Sequence, residues 1–159
     1  MNDDFKVTPW EVSGEIDYDQ LITRFGTKKM DEELLERLSG YGELHPMLRR
    51  GVVYSHRDFD WLLDQYDKGN RFFLYTGRGP SGGTHLGHLM PWMFNRYLQQ
   101  LFKVNMYFQL TDDEKFLFNE NLSLEDTRRA AYENVLDFIA LGFEPEDTRV
   151  IIDTKDIKT

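Results

Sequence analysis

The sequence predicts an α/β fold, a parallel sheet preceded by a mainly helical stretch. Three short apolar runs, at 71–76, 104–110 and 149–153, have the length of strands. The segments between them repeat their apolar residues at helical spacing. Strand, helix, strand, helix, strand in that order calls for parallel strands joined by right-handed crossovers. In such sheets ligands bind beyond the carboxyl ends of the strands.

Residues 1–16 carry Pro9 and Gly14 and read as extended or turn structure. Two helices follow, over 17–25 (Tyr18, Leu21, Ile22, Phe25) and 30–38 (Met30, Leu34, Leu35, Leu38), stopped by Gly26 and Gly40. Ser55 to Asp58 has the form of a cap for a third helix through Phe59, Leu62, Leu63 and Tyr66, ended by Gly69. The run at 71–76 is aromatic and nearly continuous, the pattern of a strand buried on both faces. From His85 to Phe102, Leu86, Leu89, Met90, Met93, Phe94, Tyr97, Leu98 and Leu101 make an amphipathic helix. Pro91 inside it removes one N–H and is expected to kink it. Ser123 and Asp126 form a capping box for a helix that runs to about Leu141 and stops at Gly142.

The chain of 159 residues is one domain's worth, with the apolar share of a globular protein. Its 28 acidic residues against 19 basic ones give a net charge of −9. Such a surface lacks the surplus cations that release counterions from RNA, so any nucleic-acid contact should be local. The absence of cysteine excludes disulfides and thiolate metal sites and fits a reducing, cytoplasmic location. No apolar run approaches the roughly 18 residues of a membrane span, so no membrane partner is expected. The acidic N-terminus does not read as a signal peptide.

The stretch from Tyr75 to His88 is the most telling. A glycine-rich turn follows the first apolar run, and two histidines stand at the mouth of the next helix. Freed backbone N–H groups, a helix N-terminus and Arg78 suit a phosphate. Gly77 to Gly82 also matches GxGxxG, which leaves open a dinucleotide-binding oxidoreductase with Asp112 or Asp113 as ribose acid. Against it, Pro80 lacks the N–H that this turn would offer, and a dehydrogenase gives His85 and His88 no task. Those histidines would share one helical face, either packed together or binding a ligand. Zinc is disfavoured without cysteine, and no metal site is expected. The run from Asp112 to Lys115 is either a solvated turn or, at a strand's carboxyl end, part of a site. Tyr75 and Gln109 end adjacent strands on the same rim.

His85-Leu86-Gly87-His88 and Gln109-Leu-Thr-Asp-Asp-Glu-Lys115, with Thr8-Pro9-Trp10 and Arg24-Phe25-Gly26, resemble the class I aminoacyl-tRNA synthetases. The form is that of tryptophanyl-tRNA synthetases of eukaryotic and archaeal type, and the resemblance runs from about Val7 to Ile152. It implies a Rossmann-like catalytic domain, with residues 1–68 as an extension capping the ATP site and 69–159 as the first half of that domain. It implies a tryptophan–tRNA ligase that uses ATP with Mg2+, forms tryptophanyl-adenylate and charges tRNA(Trp). His85, His88 and Lys115 become catalytic, and Arg78, Gly79 and Gly87 join the two histidines in holding ATP. Tyr75 and Gln109 would recognise the indole N–H, and Glu114 the α-amino group. The KMSKS loop and anticodon-binding domain have no counterpart in the sequence. The resemblance therefore implies weak activity for this chain alone, tRNA contacts made elsewhere, and a homodimer or a complementary chain. A tyrosyl-tRNA synthetase and a non-catalytic tryptophan- and ATP-binding module are the alternatives.

Overall fold

In the computed structural model, residues 5–7, 12–14 and 17–157 are described. They divide into two compact units, Met1–Lys68 and Gly69–Thr159.

The first unit opens with an antiparallel pair, β1 (Phe5–Val7) and β2 (Val12–Gly14). Helix α1 (Tyr18–Phe25) is capped by Asp17, whose carboxylate accepts from the N–H groups of Asp19 and Gln20. It ends at Gly26 with φ +61°, the left-handed turn that glycine tolerates best. Helix α2 (Glu32–Ser39) begins at Asp31, which accepts from Leu34 N–H at 2.9 Å. Strand β3 (Lys28–Lys29) pairs with β4 (Ser55–His56), with the short α3 (Pro46–Arg49) between them. Helix α4 (Phe59–Asp67) closes the unit, and Leu21, Leu34, Leu38, Leu48 and Leu63 are buried in it. The expected cap from Ser55 and Asp58 is not formed. Ser55 belongs to β4, Asp58 makes no capping hydrogen bond, and His56 Nδ1 accepts from Phe59 N–H at 3.1 Å instead.

The second unit is a three-stranded parallel sheet in the order β5 (Leu74–Arg78), β6 (Met106–Leu110), β7 (Thr148–Ile152). Helix α5 (Leu86–Phe102) links the first two strands, and α6 (Asp112–Phe118) and α7 (Leu124–Ala140) the second pair. The four-residue α8 (Asp153–Asp156) follows β7 directly. Met106, Phe108 and Leu110 are fully buried along one face of β6. Phe108 stacks on Phe138 of α7 at 3.9 Å between ring centroids and meets Trp92 of α5 edge-on at 5.0 Å. Both linking helices thus lie over the same face. The opposite face carries Tyr75, Tyr107 and Gln109.

Three expectations shift. The first strand begins at Leu74 rather than residue 71 and continues through Gly77 to Arg78. It is not buried on both faces: Phe73 and Tyr75 stay 64% and 58% exposed, because the helices cover only the Phe108 side. The acidic run from Asp112 is a helix, α6, rather than a turn. Helix α5 runs unbroken through Pro91, and the capping box of Ser123 and Asp126 forms as read.

Candidate active site

Parallel register aligns the carboxyl ends of β5, β6 and β7, which the glycine-rich turn, α6 and α8 follow. Tyr75, expected to end its strand, lies instead near the start of β5, because pairing with Gln109 and Leu110 carries that strand on to Arg78. Gly77 lies opposite Gln109, and a Cβ at position 77 would stand 2.8 Å from the Gln109 carbonyl oxygen. Only glycine allows this close pairing without moving a strand.

Beside that contact Tyr75 donates its hydroxyl hydrogen to Gln109 Oε1. The Gln109 side-chain N–H groups donate in turn to both oxygens of Asp153, at 2.8 and 2.9 Å. Asp153 is 6% exposed. Burial raises its pKa above the ordinary carboxylate value, and the charges of Asp113 and Asp112 act the same way, while donation from Gln109 opposes them. Asp112, fully buried, accepts from Thr154 N–H at 3.0 Å and from its hydroxyl at 2.6 Å, which anchors the start of α8. The backbone of Thr111 donates to Arg78 O at 3.1 Å, and its hydroxyl donates to Glu114 Oε2 at 2.9 Å.

On the other flank, Gly77, Arg78, Gly79, Ser81 to Gly83, His85, His88 and Lys115 line an open cleft of about 550 Å3. The Lys115 stem passes over Gly79, where a Cβ would stand 2.1 Å from Lys115 Cε. Arg78 donates to Gly82 O at 3.1 Å, Gly83 O at 2.9 Å and Thr84 Oγ1 at 3.2 Å. Its Nε is buried without a hydrogen-bond partner, and burial lowers its pKa from the usual arginine value, against the attraction of Asp137. Asn134, buried on α7, also donates to Gly82 O, at 3.2 Å. The loop is therefore braced from the strand and from a helix.

His85 caps α5. Its backbone N–H donates to His88 Nδ1 at 3.3 Å, and the two rings lie 3.7 Å apart between centroids. The pKa of His88 is lowered, first by burial, then by the charges of Arg78 and His85. A neutral ring that accepts at Nδ1 offers Nε2–H as a donor. Gly87 leaves room for the His85 ring, since a Cβ there would stand 3.1 Å from His85 Cε1.

The structure thus brings Arg78, Gly79, His85, His88 and Lys115 to one cleft and joins Tyr75 to Gln109. Glu114 stands beside Lys115 on α6, tied to Thr111, and lines no part of that cleft. Among the described residues no three His, Asp or Glu side chains are grouped to hold a metal. Thr8, Pro9 and Trp10 lie outside the described residues.

A family model described as "tRNA synthetases class I (W and Y)" matches residues 67–159, the part that holds every one of these groups. The chain belongs to the class I tRNA synthetases of the W and Y type. Its similarity to other class I synthetases extends beyond the matched segment. It is 57% identical to the tryptophan–tRNA ligase of Sulfolobus acidocaldarius over 99% of this chain and 42% of that protein. To the corresponding ligase of Pyrococcus abyssi it is 55% identical over 93% of this chain and 39% of that protein. The chain therefore spans about two fifths of the length of the curated relatives it matches. Among solved synthetases, the Plasmodium falciparum tryptophanyl-tRNA synthetase superposes with a TM-score of 0.85 at 45% identity, covering 88% of this chain and 40% of that one. The tryptophanyl-tRNA synthetase from Encephalitozoon cuniculi, bound to tryptophan, gives 0.81 at 43% identity, covering 89% of this chain and 40% of its own. Family membership sets aside the dinucleotide reading of the glycine-rich turn.

Sequence reasoning missed Asp153 and Asn134, and it named Asp112 as a ribose acid or part of a charged run rather than as the anchor of Thr154. Asp153 was assigned to a strand end, and nothing near it in sequence marks a partner 44 residues away. Asn134 sits in a helical pattern where a polar residue reads as solvated. No local signal distinguishes either.

Proposed function

We propose that this chain binds L-tryptophan and ATP as part of a tryptophan–tRNA ligase, carrying the HxGH half of the active site. The observation that carries this reading is the Tyr75–Gln109 pair on one face of adjacent strands, beside a glycine-rich cleft lined by His85, His88 and Lys115. The sequence of the relatives supports the choice of tryptophan within the family.

In this reading Tyr75 and Gln109 accept the indole N–H, and the Glu114 carboxylate meets the α-ammonium group. The ATP phosphates enter the cleft, where Gly79 makes room for the Lys115 stem and Arg78, His85, His88 and Lys115 supply donors; Gly87 seats the His85 ring. The tryptophan carboxylate oxygen attacks the α-phosphorus and pyrophosphate leaves, which gives tryptophanyl-adenylate. The adenylate then esterifies tRNA(Trp). Fixed donors aimed at the charge that develops on the phosphates lower the barrier, and no covalent enzyme intermediate is required. Mg2+ would arrive with the nucleotide, because the described residues group no ligands for it. Residues 1–68 would cover the ATP site. The tRNA contacts and a homodimer or complementary chain are assigned to the remaining length seen in the relatives, and the setting to the cytoplasm. No helix among the described residues is long and apolar enough to cross a membrane.

Calorimetric titration of the chain with L-tryptophan, L-tyrosine and NAD tests the reading. Binding of tryptophan alone is the expected result. Selective binding of tyrosine or NAD refutes it.

A further inference from the structure

We propose that Asp153 is the positioning residue that fixes the hydrogen-bond polarity of the amino-acid pocket, compelling Gln109 and Tyr75 to present acceptors to a ligand ring that carries an N–H. The proposal rests on the reading that Tyr75 and Gln109 face the indole.

An ionised carboxylate only accepts, and donation from Gln109 favours that form of Asp153, against burial and the neighbouring Asp113 and Asp112. Asp153 offers both of its oxygens to Gln109, so the NH2 end of the amide must face it, as the 2.8 and 2.9 Å contacts show. The amide oxygen is thereby turned to the other side, towards Tyr75. That oxygen also only accepts, so the Tyr75 hydroxyl must spend its hydrogen on Gln109. What Tyr75 Oη has left for a ligand is lone pairs. The direction of donation runs from Tyr75 through Gln109 to Asp153, and it is set at the carboxylate end.

With a neutral amide at position 153 the same atoms could run either way. In the reversed arrangement residue 153 donates to Gln109 Oε1, Gln109 Nε2 donates to Tyr75 Oη, and the phenol hydrogen points at the ligand. An N–H would then meet a donor. Burial of Asp153 keeps water from substituting for it, and the grip of Asp112 on Thr154 holds the start of α8 in place. Asp153 lies outside the His85–His88 and Gln109–Lys115 motifs.

The test compares the wild-type chain with Asp153→Asn in two ways. Nitrogen–proton correlation NMR of the Gln109 side chain needs no ligand. A pinned amide should give two well-separated, slowly exchanging protons in the wild type, and these should move towards free-glutamine positions in Asp153→Asn. Titration with L-tryptophan and with benzothienyl-alanine, whose ring sulfur replaces the N–H, reads the polarity directly. The preference for tryptophan should fall roughly 10-fold in the variant while benzothienyl-alanine affinity changes by less than about twofold. An unchanged preference, or an equal loss for both ligands, overturns the proposal, since a mere prop would weaken both alike. Free-amide Gln109 signals in the wild type overturn it without any substitution, so the result stands even if Asp153→Asn does not fold. A wild type that shows the pinned amide yet binds neither amino acid supports the assigned polarity and defeats the tryptophan reading instead.

Discussion

On the tyrosine flank of the crevice, Tyr75 donates to Gln109 and Gln109 to Asp153, a line that ends on a buried carboxylate. On the glycine flank, Arg78 donates to three oxygens of its own loop, and His85 and His88 lie ring against ring beside an open cleft. The first flank has its donors and acceptors assigned before any ligand arrives. The second has committed Arg78 to holding a loop in shape, and leaves Lys115, backbone N–H groups and a neutral imidazole to meet an anion. In the proposed function, the first is arranged for discrimination between similar rings, where an unmatched polar group is penalised heavily. In the same reading the other is arranged for a phosphate, a group met by its charge rather than by its shape.

The strongest way to break this contrast is Gln109→Leu. It leaves the Asp153 carboxylate buried without its partner and the Tyr75 hydroxyl without an acceptor. Tryptophan affinity should fall about 100-fold, with ATP affinity unchanged within about twofold. Parallel titrations with the two ligands measure both, and an equal loss for ATP would mean that the flanks are not separable.

Arg78→Met keeps the stem and removes the loop contacts, so its effect should be confined to the other side. ATP binding should weaken about 10-fold, while tryptophan binding holds within about twofold. Hydrogen exchange at Gly82 to Thr84 should accelerate. Protection that survives the substitution would transfer the bracing role to Asn134 alone.

The smallest effect concerns protons. The pKa of His88 is lowered in the folded chain, so near pH 6 the native state binds fewer protons there than the unfolded one. The contribution of the neutral ring is fully present at neutral pH, above the unfolded histidine value of about 6.5, and is lost as pH falls through that value to the lowered folded midpoint, with no further loss below it. Proton NMR of His88 Cε1–H should titrate below that value. In Arg78→Met the midpoint should rise, since the arginine charge is the second cause after burial. A midpoint that stays put would remove the electrostatic link between loop and helix start.

Much of the second unit was legible because its determinants are local. The capping box at Ser123, the stop at Gly142 and the periodicity of α5 depend on residues a few positions apart. The edges of β5 were misjudged because Gly77 and Arg78 look like the start of a loop, whereas pairing with Gln109 and Leu110 extends the strand through them. Helix α6 was hidden because consecutive acidic residues read as a solvated turn; at a helix N-terminus the same charges oppose the positive end of its dipole. The glycine-flank residues were readable as one motif. Asp153 was not, because its role exists only in the register of three strands, which no single stretch of sequence encodes.

The Lys115 stem lying where a side chain at position 79 would begin has a consequence for how sequences of this kind can drift. The two positions are coupled through the path of the lysine stem. Any substitution that adds a side chain at 79 displaces the lysine, and only a shortened or redirected residue at 115 restores the fit. Related chains should therefore change at these two positions together or at neither, and a library randomised at both should recover paired solutions rather than independent ones.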